Sequence, residues 1–214
     1  MHPTWALAHA ERATLAEDVS GLEAERWQSP SLCGSWTVRE VLAHLTAAAS
    51  LGPVAWMRSV IGVRFDFDRH NALRLAEQLG NSPEETLERF RRVQDSTTAT
   101  WGPKNAWLGE VVIHGEDIRR PLGLPSRTPP PTAERLARFF SRTEFAVVSR
   151  SRIRGLRLEA TDADFSVGAG HLVRGPVLSL LMVITGRAAH TADLTGEGVP
   201  ELAARCVPGW SPKG

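Results

Sequence analysis

The stretch Trp107 to Gly123, WLGEVVIHGEDIRRPLG, constrains this chain more than any other. Read as a helix, it places Glu110 and His114 four residues apart, so both side chains point the same way. Asp117 falls one further turn along the same stripe. Val111 and Ile118 flank it, which sets these polar groups at the edge of an apolar face. A carboxylate and an imidazole turned inward need a partner, because burying polar groups unpaired is costly. A divalent metal ion is one such partner. A further candidate for its shell is His44, far away in sequence within WTVREVLAHL.

The rest of the chain supplies helices to face this one. Residues 3–26 carry Trp5, Leu7, Leu15, Val19 and Leu22 at roughly helical spacing and predict a first long helix. After the turn-rich QSPSLCGS, Thr37 and Glu40 form a T-x-x-E capping box, with Trp36 and Val41 placed as a hydrophobic staple. A second helix therefore starts near Val38 and turns Val41, Leu42 and Leu45 inward, with His44 beside them. Gly52-Pro53 interrupts it, and 54–62 continues at an angle. Residues 66–80 are polar and helical in pattern. Ser82-Pro83-Glu84-Glu85 caps another helix through Leu87, Phe90 and Val93. Pro121 and Gly123 end the Trp107 helix.

Ser126 to Pro131, SRTPPP, reads as a linker between a helical unit, 1–124, and a second unit, 132–214. The second unit opens with a helix expected over 133–149. Its pattern then changes to alternation: strands are expected near 155–160 and 164–168, around a turn at Asp162-Ala163-Asp164. An apolar helix follows over Val177 to Ile184, and a short one opens at Pro200. The expected fold is mainly α, an antiparallel four-helix bundle followed by a small α/β unit.

Composition excludes several function classes. With 214 residues and a formal net charge of +1, no bulk charge favours nucleic acid or an anionic membrane. No apolar run approaches the roughly 20 residues that span a bilayer. The N-terminus lacks the basic-then-apolar order of a secretory signal, so a cytoplasmic location is expected. Cys33 and Cys206 are too few for a disulfide framework. No phosphate-binding loop, nucleophile elbow or dinucleotide fingerprint is present.

His44, Glu110 and His114 give two imidazoles and a carboxylate, a set known from catalytic zinc sites that keep one open position. The same residues also fit a hydrogen-bonded core histidine and a helix-surface ion pair. Asp117 could orient a ligand histidine or contact a cofactor, and Arg119 is a second candidate for cofactor contact. Arg119 and Arg120 could grip a carboxylate, or simply complement the helix C-terminus. Cys33 fits a small buried hydrophobe better than a reactive thiol. His70 is expected at the surface. His171, Arg174 and Arg187 could add polar groups from the second unit.

Three segments together, SLCGSWTVREVLAHL, GEVVIHGEDIRRPLG and ATDADFSVGAGHLVRGP, resemble the mycothiol-dependent maleylpyruvate isomerase family, whose N-terminal part is a DinB-like metal-binding bundle. The resemblance covers nearly the whole chain. It implies a metal held by His44, Glu110 and His114, zinc in first place with nickel as the alternative. It implies mycothiol as a thiol cofactor bound as thiolate at the open position. Its partner would be a small-molecule electrophile or unsaturated keto acid, isomerised by thiol addition, bond rotation and elimination, or captured by S-transfer. Arg120 and Arg174 are then the candidates for holding substrate carboxylates. Neither cysteine lies on the helices expected to supply the ligands, so the protein's own thiols are expected to be dispensable. The sequence also leaves open a non-catalytic ligand-binding module and a metal-dependent hydrolase.

Overall fold

The computed structural model describes residues 2–144 and 147–212, with backbone only at residues 67 and 68. The described residues form nine α-helices, two short 3-10 turns and a three-stranded sheet, in two compact units, Met1–Arg127 and Thr128–Gly214. The architecture is mainly α with a small α/β part, as the patterning predicts.

In the first unit, α1 (Pro3–Val19), α2 (Val38–Ser50), α5 (Pro83–Arg92) and α6 (Lys104–Arg119) enclose one core. Leu15, Val41, Leu42, Leu45, Phe90 and Ile118 are its fully or nearly buried centre. The first helix is shorter than its apolar spacing predicts. It stops at Val19, and the chain resumes as a 3-10 turn at Ala24–Gln28, because Ser20-Gly21 breaks the backbone ladder. The caps behave as predicted. The Thr37 hydroxyl accepts from Glu40 N–H at 3.3 Å, and the Glu40 carboxylate accepts from Thr37 N–H at 2.7 Å. The α6 helix ends in a Schellman turn, with Leu124 N–H on Arg119 C=O and Gly123 at φ 65°.

Contacts fix the helix directions. The α1 and α6 helices run the same way: Asp18 and Arg119 meet at their C-terminal ends. The α2 and α5 helices run the other way. Arg39 at the start of α2 donates to Thr86 of α5, and Ser96 beyond α5 donates to Ala49 C=O near the end of α2. The crossover made by α3 (Pro53–Gly62) and α4 (Phe67–Leu79) permits this up-down-down-up order. Within it, His70 is buried rather than exposed, its Nδ1 2.9 Å from Ser59 Oγ, because α3 folds back over α4. The buried Arg12 of α1 ties down the loop before α6, donating to the carbonyls of Val93, Gln94 and Ser96.

In the second unit, α7 (Pro130–Phe140) packs on the apolar α8 (Val177–Ile184), and β1 (Leu156–Ala160), β2 (Ser166–Gly168) and β3 (His171–Gly175) form a sheet in the order β2-β1-β3. The prolines of the expected linker open α7. That helix ends at Phe140, short of the predicted 149; residues 145 and 146 lie outside the described residues. Beyond it the Glu144 carboxylate accepts from the backbone of Ser149 and Ser151, holding a loop where the apolar spacing suggested helix. The β3 strand is an addition to the two predicted strands. It pairs parallel to β1, although only two residues separate it from β2. The chain therefore passes beneath the start of β1, and a Cβ on Gly168 or Gly170 would lie about 2 Å from the carbonyl oxygens of Leu156 or Gly155. Pro176 and Gly198 precede α8 and α9 (Val199–Arg205).

Candidate metal centre

The α2 and α6 helices cross so that residues distant in sequence converge. His44 Nε2 lies 2.8 Å from Glu110 Oε1, and His114 Nε2 lies 3.8 Å from the same oxygen. The two imidazole rings meet edge-on with centroids 5.1 Å apart. All three ligand atoms fall within 4.8 Å of one another. Donors around tetrahedral zinc stand about 3.3 Å apart, given bond lengths near 2.0 Å, and the observed pair distances bracket that spacing. Glu110 keeps 30% of its side chain exposed, against 15% and 13% for the histidines, so solvent reaches the cluster from the carboxylate side.

The surroundings orient the donors. His114 Nδ1 is 2.9 Å from Asp117 Oδ2, and Asp117 is fully buried. This is the arrangement by which a carboxylate fixes a ligand histidine's tautomer, leaving Nε2 to face the centre. The Trp36 ring packs against His44 at 4.9 Å. Burial by itself disfavours a charged His114. Hydrogen bonds to Asp117 and Cys33, with the negative charge of Glu110 and Asp117, outweigh it and push the imidazole up to about 10. A pocket with two carboxylates around a half-buried imidazole calls for positive charge, which a divalent cation supplies directly. The donor set thus fits a metal ion on both spacing and charge.

The other candidates divide. Arg119 is 1% exposed and lies on the opposite face of α6, with Nε on Asp18 at 2.7 Å and Nη1 on Glu116 at 3.3 Å. Arg119 therefore stands in an ion-pair network inside the bundle. Burial, ahead of the opposing charge of Arg119, holds the Glu116 carboxyl above its usual range. Arg120 is half-buried at the helix end, about a quarter-turn off the Glu110–His114–Asp117 stripe at roughly 100° per residue. Arg174 belongs to β3 of the second unit, where its side chain is exposed and its backbone pairs with Thr195. His171 is there too, 3.6 Å from Glu201. Cys33 is the residue that sequence reasoning set aside and the structure brings in. Its Sγ joins His114 and Asp117 in a second group of potential ligands. The only hint in the sequence was its place just before the capped helix that carries His44.

The chain is thus a mainly helical bundle carrying a two-histidine, one-carboxylate cluster that could hold a metal ion. A family model described as the mycothiol maleylpyruvate isomerase N-terminal domain matches residues 8–119. The chain belongs to this family. Two solved structures share the fold over 91% of both chains. One is a His-to-Ala mutant of the mycothiol-dependent maleylpyruvate isomerase, at 14% identity and a TM-score of 0.63. The other is that isomerase itself, at 13% identity and 0.59. No curated protein matches the chain significantly. Among the described residues, no helix is long and apolar enough to cross a membrane.

Proposed function

We propose that this chain is a cytoplasmic, metal-dependent enzyme that uses mycothiol, either for maleylpyruvate isomerase-like cis–trans isomerisation or for S-transfer. The observation that carries this reading is the convergence of His44, Glu110 and His114 in a chain of this family. Three protein donors leave a position for an external ligand, as catalytic zinc sites do. Zinc is the proposed ion, with nickel the alternative. A divalent ion bound there supplies Lewis acidity and stabilises a coordinated thiol as thiolate.

The chain's own residues set the conditions for that chemistry. With an ion bound, each histidine would offer one uncharged ring nitrogen and Glu110 a single negative charge. One carboxylate and one thiolate neutralise a divalent ion, so the set suits an anionic sulfur ligand. Asp117 holds the His114 ring in place, and the Trp36 ring packs against that of His44. The proposed substrate is a small-molecule electrophile or unsaturated keto acid, with Arg120 a candidate for holding a carboxylate.

The test is metal analysis of the purified protein followed by calorimetric titration with mycothiol. One divalent ion per chain and thiol binding that requires it are expected. His44→Ala should lose the ion while its helical circular dichroism stays unchanged. A metal-loaded wild type that ignores mycothiol would transfer the reading to metal-dependent hydrolysis or a ligand-binding module.

A further inference from the structure

Cys33 lies outside the His44–Glu110–His114 set, yet its Sγ, a ring nitrogen of His114 and a carboxylate oxygen of Asp117 are all within 4.8 Å of one another. These are three different donors, sulfur, nitrogen and oxygen, around one point.

The loop that carries Cys33 is built to hold it there. Leu32 N–H donates to Asp117 C=O at 3.0 Å, fastening the residue before Cys33 to the helix that bears the other two donors. Ser31 N–H donates to Trp36 C=O at 3.0 Å, and Pro30 bridges to Thr37, closing a small hairpin. Across its tip, Trp36 N–H donates to Cys33 C=O at 3.1 Å, with Gly34 at φ 60°. Cys33 N–H is itself held by Ser31 Oγ at 3.0 Å. Donors fixed by their supporting bonds before an ion arrives are what a metal position requires.

We propose that Cys33, His114 and Asp117 form a second, sulfur-containing metal position that shares His114 with the first. A neutral imidazole offers one lone pair, so His114 serves one position at a time and the chain holds one ion in either shell. Thiophilic ions favour the Cys33 shell, because thiolate is the softest donor present. The thiol proton leaves to solvent as the metal–sulfur bond forms. This inference rests on the metal-centre reading only through His114.

Cadmium(II) titrated into the metal-free full chain tests it, with ultraviolet thiolate-to-cadmium charge-transfer absorption and calorimetry read in parallel. The expected result is an absorption band that saturates at one equivalent. It should persist in Cys206→Ser and in His44→Ala, and vanish in Cys33→Ser. Should Cys33→Ser fold poorly, wild-type protein gives the same answer by alkylation: one equivalent of cadmium should protect Cys33 from iodoacetamide. Cadmium bound by the wild type without a band, or a band that survives Cys33→Ser, overturns this inference alone. No cadmium binding at all overturns it together with the metal-centre reading.

Discussion

Asp117 accepts the Nδ1 side of the His114 imidazole at 2.9 Å, and so decides which ring nitrogen faces Glu110. A buried carboxylate in that position fixes the tautomer and raises the basicity of the other nitrogen.

Asp117→Asn should therefore weaken divalent-ion binding by roughly 10- to 100-fold without changing the helical content. Competition with a chromophoric chelator measures the affinity, and circular dichroism the fold. An unchanged affinity would remove Asp117 from the support of the centre.

Gly170 sits at φ 119° where the chain passes under the start of β1. Gly170→Ala brings a methyl group into the Gly155 carbonyl and forces an L-residue into a glycine conformation. The expected loss is on the order of 3 kcal/mol, seen as a lowered midpoint in urea unfolding. Gly209, at φ 75° with no heavy atom within 4 Å of where a Cβ would stand, is the control, and its alanine variant should lose much less. Equal losses at both positions would contradict the close crossing.

Burial by itself raises the Glu144 carboxyl. Bonds from the Ser151 side chain and from the backbone of Ser149 and Ser151, with Arg150 nearby, overcome this and hold it below its ordinary range. Its contribution to stability is then present above the unfolded carboxyl value and lost as pH falls through the lower folded one. Its side chain is 34% exposed, so screening limits the effect of Glu144→Gln at neutral pH to about 0.5–1 kcal/mol. The difference in melting temperature between variant and wild type should narrow steadily below about pH 4. A gap that stays constant down to pH 3 would assign the loop's stability to other contacts.

Local signals made much of the fold legible. The Thr37–Glu40 box, the Ser82-Pro83 cap and the Pro121–Gly123 stop each announce a helix end through chemistry within a few residues. The spacing of Glu110, His114 and Asp117 likewise places them on one stripe of α6. The same arithmetic puts Arg119 half a turn-circle away from Glu110, at about 180°, which grouping by sequence proximity overlooked. What the sequence did not disclose depends on long-range pairing. The β3 strand is stabilised by β1 rather than by its neighbour β2, and Cys33 meets His114 only because Leu32 is pinned to Asp117. No periodicity encodes such contacts.

The parallel course of α1 and α6 has an electrostatic consequence of its own. Each helix macrodipole carries about half a negative elementary charge at its carbonyl end, and here two such ends lie side by side. The carboxyl groups of Asp18 and Glu116 stand at the same place. The Arg119 guanidinium buried between them answers both carboxylates and both helix ends at once. Replacing it with a neutral side chain of similar size would set two like poles against each other, and the crossover that allows parallel neighbours would lose the cation that makes them compatible.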